Sequence, residues 1–147
     1  MQDYDITPAM IARIAEQCPG FRNVEEAWFS QPIDDYDQDT PSALIYIAED
    51  AGGTPSELNG RQSVTTTYGV FIIAERGDTF RAQRQEVRDA LYGWQPPGTT
   101  GVMTYRGGEM ADNRGRYVWW REFWTVETPH ALQATRGGTT RPRTMTV

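Results

Sequence analysis

The stretch Arg61-Gln-Ser-Val-Thr-Thr-Thr-Tyr-Gly-Val-Phe-Ile-Ile-Ala74 changes character at its middle. Its first half, Gln62 to Thr67, is polar and β-branched, and its second half, Tyr68 to Ala74, is apolar without interruption. Residues of both kinds fit a pleated strand, and an unbroken apolar run needs cover on both faces. A second strand of the same kind runs from Arg116 to Glu127, with Tyr117, Trp119 and Phe123 on one side and Val118, Trp120, Trp124 and Val126 on the other. Two such strands require two covers. Helices of the same chain are expected to supply one, and a neighbouring subunit the other. A strand whose polar half outruns the core also suggests a projecting hairpin arm.

Outward from these strands the helices are legible by period. Ile6, Met10, Ile11, Ile14, Ala15 and Cys18 recur at helical spacing, with Thr7 as the expected cap, Pro8 at the first helical position and Pro19–Gly20 as the stop. A second helix follows Asp78 or Thr79, its apolar side lined by Phe80, Val87, Ala90, Leu91 and Trp94, its wet side by Arg81, Arg84, Arg88 and Asp89. Gly93 suits the left-handed position after that helix, and Pro96–Pro97 prevents its continuation. Val24–Phe29, Ala43–Ala48 and Val102–Tyr105 read as shorter strands, Ala51–Gly60 as a loop, and Gly107–Gly108 and Asp112–Gly115 as turns.

A chain of 147 residues is of ordinary length for one domain, and its 38% hydrophobic and 12% aromatic content supports a packed core. The net charge is −6, and all 14 basic residues are arginine. Such a balance argues against simple phosphate-driven binding of nucleic acid. Charge is also unevenly spread, with eight acidic residues and no arginine from Glu25 to Asp50, and three arginines and no acid from Thr128 to Val147. One cysteine, Cys18, excludes an internal disulfide and reads as a small core residue. No stretch approaches a membrane span and the first residues are acidic and polar, so a soluble protein made in a cytoplasm is expected.

Reactive chemistry finds few candidates. The one histidine, His130, lies beyond the last strand and reads as a surface residue without a positioned partner. No nucleophile elbow, phosphate loop or paired metal-ligand motif is present. Asp35-x-Asp37-x-Asp39 begins like a calcium loop, but Thr40 stands where the turn needs glycine and Tyr46 where the last ligand should be glutamate, so a solvated acidic loop is the preferred reading. Neither catalytic residue, cofactor nor bound metal is expected. After Thr128 the chain turns to Thr, Gly and Arg, so residues 1–128 are expected to form the domain and 129–147 an extended or disordered arm.

Three segments, in this order and spacing, closely resemble the tail-terminator proteins of long-tailed bacteriophages, in particular the Mu-like branch. They are Arg61–Ala74, Val87-Arg-Asp-Ala-Leu-Tyr-Gly-Trp-Gln-Pro-Pro-Gly98, and Met103-Thr-Tyr-Arg-Gly-Gly-Glu109 leading to Tyr117-Val-Trp-Trp-Arg-Glu-Phe-Trp124. The resemblance spans roughly residues 6 to 128 and leaves out the acidic run and the tail. It implies an α+β fold, a mainly antiparallel (mixed) β-sheet with two α-helices packed on it. It also implies a virion structural protein: a homohexameric ring at the head-proximal end of the tail that caps the tube, stops its polymerisation and meets the head-completion or connector protein. DNA would pass the lumen without specific binding, and no membrane is involved. On this reading Arg61, Ser63, Thr65, Thr67, Arg84 and Arg88 are candidates for the subunit or tube interface, and Trp94, Trp119, Trp120 and Trp124 for the structural core. Two rivals stay open, a neck connector or other minor tail protein, and a small enzyme or calcium-binding module.

Overall fold

In the computed structural model, which describes residues 5–34, 36, 39–58 and 60–130, the elements follow the order α1 (Thr7–Gln17), β1 (Asn23–Glu26), β2 (Ser42–Gly52), β3 (Gln62–Glu75), α2 (Asp78–Leu91), β4 (Thr104–Arg114) and β5 (Tyr117–His130). The five strands form one sheet in the order β1-β2-β3-β5-β4, with β1 parallel to β2 and every other pair antiparallel. This is the α+β arrangement expected, a mixed sheet carrying two helices. The two strands that decided the fold lie side by side at its centre and pair along their whole length, from Gln62 opposite His130 to Glu75 opposite Tyr117.

Alternation along the strands builds two cores. The first lies under the helices, where Met10, Ile14, Cys18, Val87 and Leu91 meet Ala43, Ile45, Tyr68, Val70, Ile72, Trp124 and Val126. The second occupies the opposite face, where Leu44, Tyr46, Phe71, Ile73 and Trp119 are covered by Ala27, Phe29, Ile33 and Tyr36. Trp119 meets the edge of both Tyr36 and Phe71, with ring centroids 5.4 Å apart in each case. The two-faced strand pattern predicts a neighbouring subunit as the cover here. Instead the segment after β1 folds back over half of this face, and only the half around Thr65, Thr67 and Phe123 stays open.

Several local expectations are corrected. Thr7 does not cap α1 with its side chain. The acceptor is Asp5, whose Oδ1 takes the Thr7 N–H at 2.9 Å and the Thr7 hydroxyl at 2.6 Å. Neither Asp78 nor Thr79 caps α2; Gly77 stands at that position with φ 103°, and no side chain bonds there. β1 ends at Glu26, short of the expected Phe29, and β2 runs to Gly52, into the expected loop. Gly107 and Gly108 are not a turn but lie inside β4, which is 11 residues long. The Trp120 ring lies over Gly108 so closely that a Cβ there would sit 2.6 Å from it, so only glycine permits this approach. The polar half of β3 pairs with β2 as a hairpin, as expected, and it also pairs with β5 on its other side and buries Val64 and Thr66. Pro129 and His130 pair opposite Ser63 and Gln62. The rest of the expected arm, 131–147, lies outside the described residues, as do Asp35 and Asp37 of the acidic run.

Beneath α2 sits a buried carboxylate. Glu122 is fully enclosed and accepts a hydrogen bond from the indole N–H of Trp120 at 3.0 Å and of Trp124 at 3.0 Å. Arg84 reaches down from α2 with its Nε 4.0 Å from the carboxylate and its guanidinium 4.2 Å from the centre of the Trp120 ring. Arg88 likewise lies 5.5 Å from the centre of the Tyr105 ring. Both arginines, expected on the wet side, are therefore turned against aromatic rings, where their flat faces and apolar stems pack as well as their charge. Burial pushes the Glu122 carboxyl above its ordinary range, against the opposing pull of the two indoles and of Arg84.

The depth of each tryptophan sets its expected contribution to stability. Trp119 and Trp124 are buried while Trp94 and Trp120 are half-buried against the first core. Trp119→Ala and Trp124→Ala should each cost about 3–5 kcal/mol, and Trp120→Ala only about 2 kcal/mol, read from urea midpoints. Equal losses at all three positions would contradict this packing. For Glu122 the folded group holds its proton more tightly than the unfolded one. Its contribution is thus complete below the ordinary carboxylate range and fades as pH rises through the folded titration. The midpoint of Glu122→Gln should gain on that of the parent as pH is raised from about 4 to about 8; a difference independent of pH would contradict it.

Candidate assembly surface

The expected interface residues divide into two sets that the fold keeps apart. Ser63, Thr65 and Thr67 alternate with the buried Val64, Thr66 and Tyr68 and therefore share the face opposite the helices. Ser63 is exposed and Thr65 and Thr67 are half-buried, while Arg61 is exposed just before β3 begins. Arg84 and Arg88 belong to α2, on the other face of the sheet, and spend their charge on Glu122 and on aromatic rings.

Cross-strand register shows what surrounds the threonines. Thr67 stands between Glu49 of β2 and Thr125 of β5, and Thr125 stands opposite Thr104 of β4. One step outward, Thr65 lies between Ala51 and Glu127. This half of the face is thus a sheet of β-branched hydroxyls with carboxylates at its margin. One step inward the floor turns apolar. The Tyr46 ring covers Gly69 so tightly that a Cβ there would overlap it, and Phe123 pairs opposite Gly69.

From this floor a run of shallow hollows crosses the sheet. One of about 350 Å³ is lined by Ala48, Glu49, Thr67, Arg106 and Phe123. The next, of about 430 Å³, continues over Tyr46, Ile47 and Arg121 to Ser30. The last, of about 310 Å³, ends under Trp28 and Phe29. Arg121 fixes the wall between open and covered halves: its guanidinium pairs with Glu109 and donates to the Ser30 carbonyl at 2.7 Å. Burial raises the Tyr46 hydroxyl above its ordinary range, with Arg121 pulling the other way, so this tyrosine stays a neutral wall residue.

Trp28 and Glu122 are two residues that reading the sequence does not single out. Trp28 is 84% exposed, an unusual state for the largest apolar side chain, and exposed apolar groups beside a groove mark contact surfaces. Nothing in the string Ala27-Trp28-Phe29 distinguishes the exposed ring from the half-buried one. Glu122 does leave a signal. In Trp120-Arg-Glu122-Phe-Trp124 the carboxylate lies two residues from each indole, hence on one strand face between two N–H donors.

The remaining features offer no convergent chemistry. A hollow of about 520 Å³ between Tyr36, Glu75, Arg114 and Tyr117 is lined by three arginines, Arg22, Arg114 and Arg116, of which the last two are engaged in ion pairs. Arg114 pairs with Asp112 and with Asp34, and Arg116 with Glu75. Among the described residues no group of three His, Cys, Asp or Glu side chains is placed to hold a metal ion. Burial pushes the Cys18 thiol up to about 12, which leaves it protonated and unreactive near neutral pH. His130 is half-buried, with Nε2 3.2 Å from the Thr128 hydroxyl. No helix among the described residues is long and apolar enough to cross a membrane.

A family model described as phage tail terminator protein matches residues 1–131. No curated protein sequence matches the chain. Among solved structures, a chain in the virion of a native gene transfer agent particle is similar in fold at 11% sequence identity, with a TM-score of 0.51 over 87% of this chain and 100% of that one. The family match covers every described residue, both cores and all five strands. This chain belongs to the phage tail terminator family and is a structural protein of the virion tail.

Proposed function

We propose that six copies close into a ring on the last layer of the tail tube, stop its polymerisation, and present the opposite side of the ring to the head-completion or connector protein. The observation that carries this reading is the half-covered second face of the sheet. A single chain that spends Ala27, Phe29, Ile33 and Tyr36 to cover one half leaves the Thr65–Thr67 half and its apolar floor open. Head-to-tail contacts with a suitable rotation close on themselves, which leaves no growing end. The lumen of such a ring must let DNA through, and a chain of net charge −6 supports a wall that does not hold phosphate. The threonine half of the face is assigned to the tube. Its hydroxyls can exchange hydrogen bonds with a partner and still be solvated before assembly, so the free subunit stays soluble.

The test is to add purified protein to polymerising tube subunits. Parent protein should shorten or cap the tubes, whereas a neck connector would ignore them. Thr65→Asp with Thr67→Asp should abolish capping at concentrations where the parent caps fully. Each replacement should cost at most about 1 kcal/mol of stability, since the sites are half open. Tubes capped normally by the double variant would remove the threonine face from the contact.

A further inference from the structure

Glu122 points into the layer between α2 and the sheet and has no surface open to solvent. Both of its oxygens are in use, Oε1 by the indole N–H of Trp124 and Oε2 by that of Trp120, each at 3.0 Å. A third donor stands just out of reach. The Nε of Arg84 is buried, has no hydrogen-bond partner, and lies 4.0 Å from Oε2. A buried N–H left unmade is costly, and here the acceptor that would satisfy it is the nearest carboxylate. The guanidinium is spent instead on aromatic faces, 4.2 Å from the centre of the Trp120 ring and 5.8 Å from that of Phe80.

The groups around the carboxylate act on it in two opposite ways. Across the sheet it stands opposite Val70 of β3 and Gly108 of β4, neither of which carries a charge. From α2 the charged groups facing it are Arg84 and Arg88, and both favour its ionised form. From β4 the titratable neighbour is Tyr105, packed on Trp124 with ring centroids 5.2 Å apart. From β3 it is Tyr68, opposite Trp124, whose hydroxyl is taken up by Asp5 and the Ile6 N–H. Enclosure favours the neutral acid, because a charge loses its hydration there. The two indoles and the arginine favour the anion, because N–H bonds to a carboxylate are stronger than those to a neutral acid. A group balanced in this way can change state for a modest change in pH.

We propose that Arg84 and Glu122 form a latch worked by one proton. With the proton on the carboxyl, Arg84 rests on the Trp120 ring and its Nε stays unbonded. The proton leaves to solvent along the Arg84 side chain, which is 31% exposed. The guanidinium then shifts on the ring, Nε donates to Oε2, and the middle of α2 is drawn toward β5. Raising the pH therefore tightens the contact between helix and strand locally, even as the enclosed charge lowers the stability of the whole fold. α2 covers the face of the sheet opposite the threonines, so the latch stands independently of the ring and the tube contact.

The experiment follows the indole N–H and arginine Nε–H signals of the full-length protein by NMR from about pH 4 to about pH 9. Arg84→Gln identifies the Arg84 signal by its loss. The Trp120 and Trp124 indoles should shift together in one transition, and above it the Arg84 Nε–H should exchange with water at least about tenfold more slowly than the exposed arginines. Indoles that do not titrate in this range would overturn the latch, and so would a transition that leaves Arg84 exchanging like the others. In Arg84→Gln the indole transition should move to higher pH, since a cation that favours the anion is gone; an unmoved transition would also overturn it. Glu122→Gln should abolish the indole transition and the Arg84 protection together, and persistence of either would assign it to another group. Where that variant does not fold, the parent titration and Arg84→Gln decide alone.

Discussion

A β3–β5 pair that is apolar on both sides cannot be satisfied by one layer of helices, and the rest of the molecule is arranged around that constraint. The pairing runs through 14 positions on each strand, so the two faces of the sheet are set together and neither strand can slip without exchanging them. α1 and α2 close one face. The other is closed only as far as the segment after β1 can reach, to Phe71, Ile73 and Trp119. Beyond that point the strands remain paired but uncovered, and the side chains change from apolar to β-branched hydroxyls. Such a surface combines β propensity with polarity.

Arginine serves the interior as well as the surface. With no lysine in the chain, every cation is a planar guanidinium that can lie flat on a ring. Arg84 lies over Trp120 while its Nε faces Glu122, and Arg121 braces the wall of the open groove from Glu109 to the Ser30 carbonyl. Glu122, buried between two indole donors, is costly to enclose and would be costlier to leave unpartnered. What it provides is a fixed relation between α2 and β5, because the indoles and the arginine must all point at one carboxylate. The helix layer is thereby set in place over the strand whose other face carries Trp119 and Phe123.

Family membership and the open surface are separate observations. The family match spans residues 1–131. The groove from Trp28 to Arg106 rests on exposure and register. A likeness at 11% identity and a TM-score of 0.51 to a chain of a gene transfer agent virion shows that this fold tolerates near-complete replacement of its residues. Such a fold is held by alternation and volume.

The sequence by itself determined where the two helices and the two central strands lie and that β3 and β5 are two-faced. It also determined that the polar run Gln62–Thr67 gives way to apolar residues from Tyr68 onward. These follow from period and side-chain type along a continuous stretch. The spacing of Glu122 between its two indoles was legible there too. The tertiary structure alone decided that Phe29 and Tyr36 cover Trp119, that Arg84 and Arg88 turn inward, that Gly107 and Gly108 lie within a strand, and that Trp28 is left outside. Each of these depends on segments distant in the chain meeting in space, and neither local propensity nor hydrophobic period records which distant segment will arrive.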